Sequence, residues 1–309
     1  MQRSAARYLM FFQYAGTKYS GVMKTAADQA VEGVENHLEV SLCLTIQNNR
    51  CIFQKPTFTH AVQTEFDAVS ATLSFFPPRI TRAYRVHSDF HARYRAVSRT
   101  YVFRFASGLR HHTEMPVTER DLCWALRDTR LNIAAMQEAA ALLLGTHDFS
   151  TFRALSSETP FKNPVKTLEK AQLESGVSFS QRHFHRDIQF WELTFKSRSF
   201  LYRQVRRMTG ALVAVGQGRL SVSQIQELLE TPDSLAFPQN LTAPAHGLFL
   251  TDVQYRDTGT NRQFGSRISL YSLYVYAHFR LPGRPTTHCT EQHIPKCNVL
   301  DLTLHVNEC

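Results

Sequence analysis

From Arg99 to Phe105 the chain alternates strictly, with Arg99, Tyr101, Phe103 and Phe105 on one side of an extended backbone and Thr100, Val102 and Arg104 on the other. A period of two excludes a helix and predicts a strand over Ser98 to Phe105 with one aromatic face. Such a face has to be covered by other elements, so the run demands a layered fold and excludes a disordered or fibrous chain. Hydrophobic residues make up 43% of the 309, enough material for that core.

Around this strand the remaining pattern is mixed. Tyr8 to Gln13 and Arg82 to Val86 read as strands, as do Leu168 to Leu173, Ile188 to Lys196 and Gly247 to Tyr255. Helical spacing of Val31, Val34 and Leu38 predicts a helix over Ala27 to Leu38. A second helix spans Asn132 to Leu144, with Asn132 as its cap and Gly145 as its stop. Phe200 to Val215 is a third, buried along Val205, Met208, Leu212 and Val215, and Ser223 to Leu229 a fourth, capped by Ser221 or Ser223. Strand and helix runs recur in each half, which predicts an α/β (α+β) protein of two subdomains, 1–107 and 108–256, followed by an irregular tail, 257–309.

Charge points to the partner. The formal net charge is +9, and its distribution says more than its total. Seven arginines (79, 82, 85, 93, 95, 99, 104) stand between Arg79 and Arg104 against the single acid Asp89. Six bases and no acid lie between Lys196 and Arg219. Aromatics are interleaved in both blocks, and arginine with exposed rings is how unstacked RNA is held. The plainer alternative is a solvated basic face. Within the third helix Arg203 and Arg207 lie one turn apart, while Arg206 sits nearer the buried stripe, where it either snorkels to solvent or pairs with a buried carboxylate.

Other classes are disfavoured. No apolar run approaches the roughly 18 residues of a membrane span. The six cysteines follow no framework spacing and read as reduced thiols in an intracellular compartment. The opening MQRSAARYLMFF is basic, but the first strand leaves only seven residues for a targeting segment. His288, Cys289, His293 and Cys297 lack the paired spacing of a zinc site, so no metal is expected. His147, Asp148 and Ser150 are too close in sequence for a hydrolytic triad, and Gly216-x-Gly218 ends a helix instead of following a strand. A DNA-binding reading finds no helix-turn-helix or finger signature.

Five ordered motifs carry a resemblance. They are Tyr14-Ala15-Gly16-Thr17-Lys18-Tyr19-Ser20-Gly21 after the first strand, Asp89-Phe90-His91-Ala92-Arg93 before Arg99-Thr100-Tyr101, Gly145-Thr146-His147-Asp148-Phe149-Ser150-Thr151-Phe152, Phe200 through Gly210, and Gly247-Leu248-Phe249-Leu250. In this order they resemble the TruA-like tRNA pseudouridine synthases, and the Phe200 to Met208 run is most similar to the pseudouridine synthase-like 1 branch. The resemblance implies two RRM-like subdomains forming a basic central cleft, and a tRNA uridine isomerised to pseudouridine without metal or organic cofactor. It implies Tyr101 as the ring against the flipped uracil and Arg206 as the partner of the catalytic aspartate. It also implies tRNA contacts through Arg93, Arg99, Arg203 and Arg207, a possible homodimer, and a mitochondrial or cytoplasmic location. Without the resemblance, Tyr101 is one more core aromatic.

One segment departs from the family. Its Arg-Thr-Asp-x-Gly-Val-His stretch is not found between the first helix and Asp89, where the only aspartate is Asp67, in Thr64-Glu65-Phe66-Asp67-Ala68-Val69. Asp67 has neither the preceding Arg-Thr nor the following glycine, and His60-Ala61 only echoes the end of the motif. Two readings stay open: a chain that has lost its catalytic strand, or a non-catalytic RNA-binding relative.

Overall fold

The computed structural model describes residues 5–14, 19, 31–34, 36, 79–87, 89–127, 130–155, 163–178, 187–256 and 296–305. Asp67, the zinc-like cluster up to His293 and most of the first expected helix lie outside the described residues. The chain divides into two compact units, one of residues 1–96, 255–260 and 291–309, the other of 97–254 and 261–290. The boundary expected after residue 107 falls inside the long strand Ala96–Leu109.

The first unit holds a three-stranded sheet in the order β2-β1-β9, built from β1 (Ala5–Tyr14), β2 (Arg79–Val86) and β9 (Lys296–His305). Both neighbours run antiparallel to β1, from Arg7↔Val86 to Gln13↔Arg79 and from Ala5↔His305 to Tyr14↔Lys296. Part of the segment read as an irregular tail is therefore a paired strand. Its signal is the alternation of Leu300, Leu302 and Leu304 with Asp301, Thr303 and His305, masked by the Pro- and Thr-rich stretch before it.

The second unit is a sheet in the order β4-β3-β7-β6-β5, from β3 (Ala96–Leu109), β4 (Trp124–Arg127), β5 (Gly145–Asp148), β6 (Val165–Ser175) and β7 (Gln189–Ser197). The far edge of β3 is shared between β4 and β8 (Leu248–Tyr255). Contacts of Gly247, Thr251 and Gln254 with Arg104, Thr100 and Ser98 rise on one strand as they fall on the other, so β8 runs antiparallel. Gly247 marks the changeover at φ +93°, where a Cβ would stand 2.5 Å from the Arg104 carbonyl and 3.3 Å from the Trp124 nitrogen.

The aromatic strand behaves as its alternation requires. Tyr101, Phe103 and Phe105 pair with Phe195, Leu193 and Trp191 of β7, which places all six on one face of the sheet. Phe103, Phe105, Phe195 and Leu193 are fully buried there. Three helices accompany this sheet among the described residues: α1 (Ile133–Leu142), α2 (Gln204–Gly216) and α3 (Val222–Glu230). The Asn132 side chain accepts from the Ala135 amide as an N-cap should, and Ser221 and Gln224 form a reciprocal capping box on α3. The expected α2 stripe is buried throughout, with Val205, Met208, Leu212 and Val215 all at 4% exposure or less. No helix among the described residues is long and apolar enough to cross a membrane.

Candidate functional site

Tyr101 is half-buried towards the start of β3, on the face lined by Phe103, and its ring meets Phe200 edge-on at 5.1 Å between centroids. Burial pushes its phenol above the ordinary value, against the opposing pull of the Arg99 guanidinium. Tyr101 is therefore a neutral hydroxyl on an aromatic platform. Arg99 itself is half-buried and donates from Nη1 to the Arg198 carbonyl at 2.7 Å.

Three residues separate Phe200 from the first turn of α2, which begins later than its apolar pattern suggested. The delay comes from a tight turn. The Leu201 amide donates to Gln204 Oε1 at 2.8 Å, and the Gln204 amide donates back to the Leu201 carbonyl at 3.2 Å. Arg203, at the corner, takes a left-handed backbone at φ 56°, a conformation that costs a non-glycine residue on the order of 1–2 kcal/mol. The turn leaves Tyr202 39% exposed, with the Arg203 guanidinium 5.2 Å from its ring centre.

Arg206 is half-buried and held to main chain. Its Nε donates to the Ala243 carbonyl at 2.6 Å, while its own main-chain oxygen accepts from the Ala243 amide at 3.1 Å. The glycine four residues on makes this possible. At Gly210 a Cβ would overlap the Leu241 carbonyl oxygen and stand 2.7 Å from its carbon, so the 241–243 segment reaches α2 only because that position carries no side chain. The same segment leads to His246, whose imidazole is pushed below its ordinary value by burial and by Arg206, against the attraction of Asp121. It then reaches Gly247, where a Cβ would be 3.3 Å from the Phe103 ring. The segment that holds Arg206 thus ends against Phe103, two residues along β3 from Tyr101.

Three arginines of the basic blocks are bonded within the protein. Arg207 Nη1 donates to the carbonyls of Thr151, Arg153 and Ser234 at 2.8, 2.7 and 3.1 Å, and its guanidinium lies 4.7 Å from the Phe237 ring centre. The 151–153 main chain packs against Arg207 and leaves it half-buried. Arg104 is buried and forms ion pairs with Glu119 at 2.7 Å and Glu192 at 3.3 Å. Arg95 donates to Asp89 at 2.7 Å, and Asp89 also meets His87 Nδ1 at 2.5 Å. That contact, with the coulombic pull of His87 and Arg95, holds the exposed Asp89 carboxyl below its ordinary value. Arg93, in the first unit, is exposed, and Arg203 is half-exposed.

The Gly145–Phe152 motif is structural too. Asp148 Oδ1 accepts from the Ser150 amide at 2.7 Å, His147 contacts the Leu144 carbonyl at 2.7 Å, and Phe149 and Phe152 are fully buried. No hydrolytic triad forms. No group of His, Cys, Asp or Glu suited to a metal occurs among the described residues.

This arrangement belongs to a known class. The tRNA pseudouridine synthase family profile matches residues 139–256. The chain is 45% identical to tRNA pseudouridine synthase-like 1 of Xenopus laevis, across 89% of this chain and 100% of that protein. To the human protein of the same description it is 41% identical, over 84% and 96%. To tRNA pseudouridine synthase A of Caulobacter sp. (strain K31) it is 32% identical, over 82% and 99%. The chain belongs to the tRNA pseudouridine synthases, a family of isomerases.

Proposed function

We propose that the chain acts on tRNA, isomerising a uridine to pseudouridine, with Tyr101 against the extruded base and Arg206 as the cation that orients the nucleophilic carboxylate. In that reaction the N1–C1′ bond breaks, a C1′–C5 bond forms, C5 loses its proton to solvent and N1 gains one. Neither a metal nor an organic cofactor enters the balance. The reading is supported by an Arg206 held twice to Ala243 and by a Tyr101 backed by the Phe200 ring. A flipped base needs a flat neutral platform, and a buried carboxylate needs a fixed cation. Each half is RRM-like in this reading, and a basic central cleft receives the RNA, with Arg93, Arg99 and Arg203 on its phosphates. A homodimer and a mitochondrial or cytoplasmic location complete the reading.

The test is tritium release from an unmodified tRNA transcript labelled at C5 of uridine, with tRNA binding measured in parallel. Release that drops by about 100-fold in Arg206→Ala supports the proposal. Binding without release identifies an inactive RNA-binding relative. Failure to bind tRNA overturns both.

A further inference from the structure

We infer that Tyr202 and Arg203 form a nucleotide-holding corner for an unpaired residue of the RNA, separate from the platform at Tyr101; this rests on the proposed action on tRNA. Three observations converge on the pair. Tyr202 is the one aromatic ring among the large apolar side chains left exposed in the described residues of the second unit, at 39%. The Arg203 guanidinium lies over its ring at 5.2 Å, so the two already form the cation–aromatic surface on which bases stack. Finally, Arg203 occupies a left-handed position (φ 56°) that glycine or asparagine would adopt with less strain.

Nothing in the turn's own bonding calls for an arginine there. The Leu201–Gln204 bonds close the turn, and the Tyr202 carbonyl accepts from Ala154 at 3.1 Å through main-chain atoms alone. The Arg203 side chain makes no cap to α2, and Arg207 beneath it adds like charge. A side chain kept at a strained position, beside a second cation and without a structural bond, fits the recognition of an anion. Tyr202 offers the face of its ring to a base and Arg203 reaches the adjoining phosphate. The ligand class is a nucleotide outside a duplex, because a paired base presents no free face.

The experiment is fluorescence anisotropy of the full chain with a labelled tRNA transcript and with a labelled single-stranded oligouridylate. The variants are Tyr202→Ala, Arg203→Gly and Arg203→Lys, and thermal unfolding is followed on each. Expected is about tenfold weaker binding of both RNAs by Tyr202→Ala and Arg203→Gly, with Arg203→Lys between them and the parent. The unfolding temperature of Arg203→Gly should be unchanged or higher by about 2 °C, since glycine relieves the left-handed strain. Variants that bind both RNAs as tightly as a binding-competent parent overturn the corner alone. A fall in unfolding temperature matching the loss of affinity also overturns it, by making the residues structural. A parent that binds neither RNA overturns the underlying proposal instead.

Discussion

Arg206 and Ala243 are joined twice, side chain to carbonyl at 2.6 Å and amide to main-chain oxygen at 3.1 Å, across the bare Cα of Gly210. The Val-Arg-x-x-x-Gly spacing thereby acquires a physical reason: the glycine admits the segment that holds the arginine.

Gly210→Ala tests this. In an ordinary helix the change would add roughly 1 kcal/mol of stability. Here the new methyl collides with main chain that has no flexible end to move, so a net loss of about 1–3 kcal/mol is expected in urea unfolding. Tritium release should fall further than tRNA affinity, because Arg206 loses its anchor while the rest of the surface remains. A stabilised variant would show that the close approach is absent.

Arg207 offers the opposite expectation. It engages three carbonyls and stacks on Phe237, so Arg207→Lys should cost about 1–3 kcal/mol of stability. Any folded fraction should keep its tRNA affinity within about twofold, the change expected for loss of a residue that touches no phosphate. A stable variant with strongly weakened binding and a shallower salt dependence would restore Arg207 to the RNA surface.

How far the sequence reached depended on the kind of signal. The β3 alternation, the Asn132 cap and the α2 stripe were legible because each is local and periodic. The roles of Arg104 and Arg207 were not, since Glu119 and the Thr151 and Ser234 carbonyls lie 15, 56 and 27 residues away in the chain. A basic run looks the same whether its members meet phosphate, carboxylate or carbonyl oxygen. β4 was missed because four residues, Trp124–Arg127, are too few for a periodic pattern. The late start of α2 was missed because Phe200–Arg203 is apolar enough to extend the stripe, while its turn is set by the Gln204 side chain.

The Arg104–Glu119 pair is buried on both sides, with side chains 7% and 4% exposed. Glu119→Ala strands the guanidinium with the more distant Glu192 and should cost about 3–5 kcal/mol. The double variant Arg104→Met/Glu119→Leu should recover most of that loss, because removing both charges removes the desolvation they share. Equal losses in single and double variants would mean that the pair stabilises the β3–β4 region by more than mutual neutralisation.

Cys123 lies beside that pair, and burial pushes its thiol up to about 12. At neutral pH the reactive thiolate is scarce and shielded. Peptide mapping after iodoacetamide at pH 8 should find Cys123 unmodified in the native protein and fully modified in urea. Native labelling would show that the cluster of Leu109, Met115, Ile188 and Phe190 around it opens readily.

His246 gives the segment that holds Arg206 a pH signature. Burial first, and Arg206 with it, lowers the imidazole pKa in the folded protein, although Asp121 draws it upward. The unfolded chain takes up this proton near pH 6.5, whereas the folded chain takes it up only at lower pH. Above the unfolded value both states are neutral and stability is unaffected. As pH falls through that value, proton uptake favours unfolding, and the loss levels off below the folded value. His246→Gln removes the differential uptake, so its unfolding temperature should decline less than the parent's between about pH 7 and pH 5. Parallel curves for the two proteins would mean that His246 binds its proton equally well folded and unfolded, and that the 243–247 segment is more open to water than its contacts with Arg206 imply.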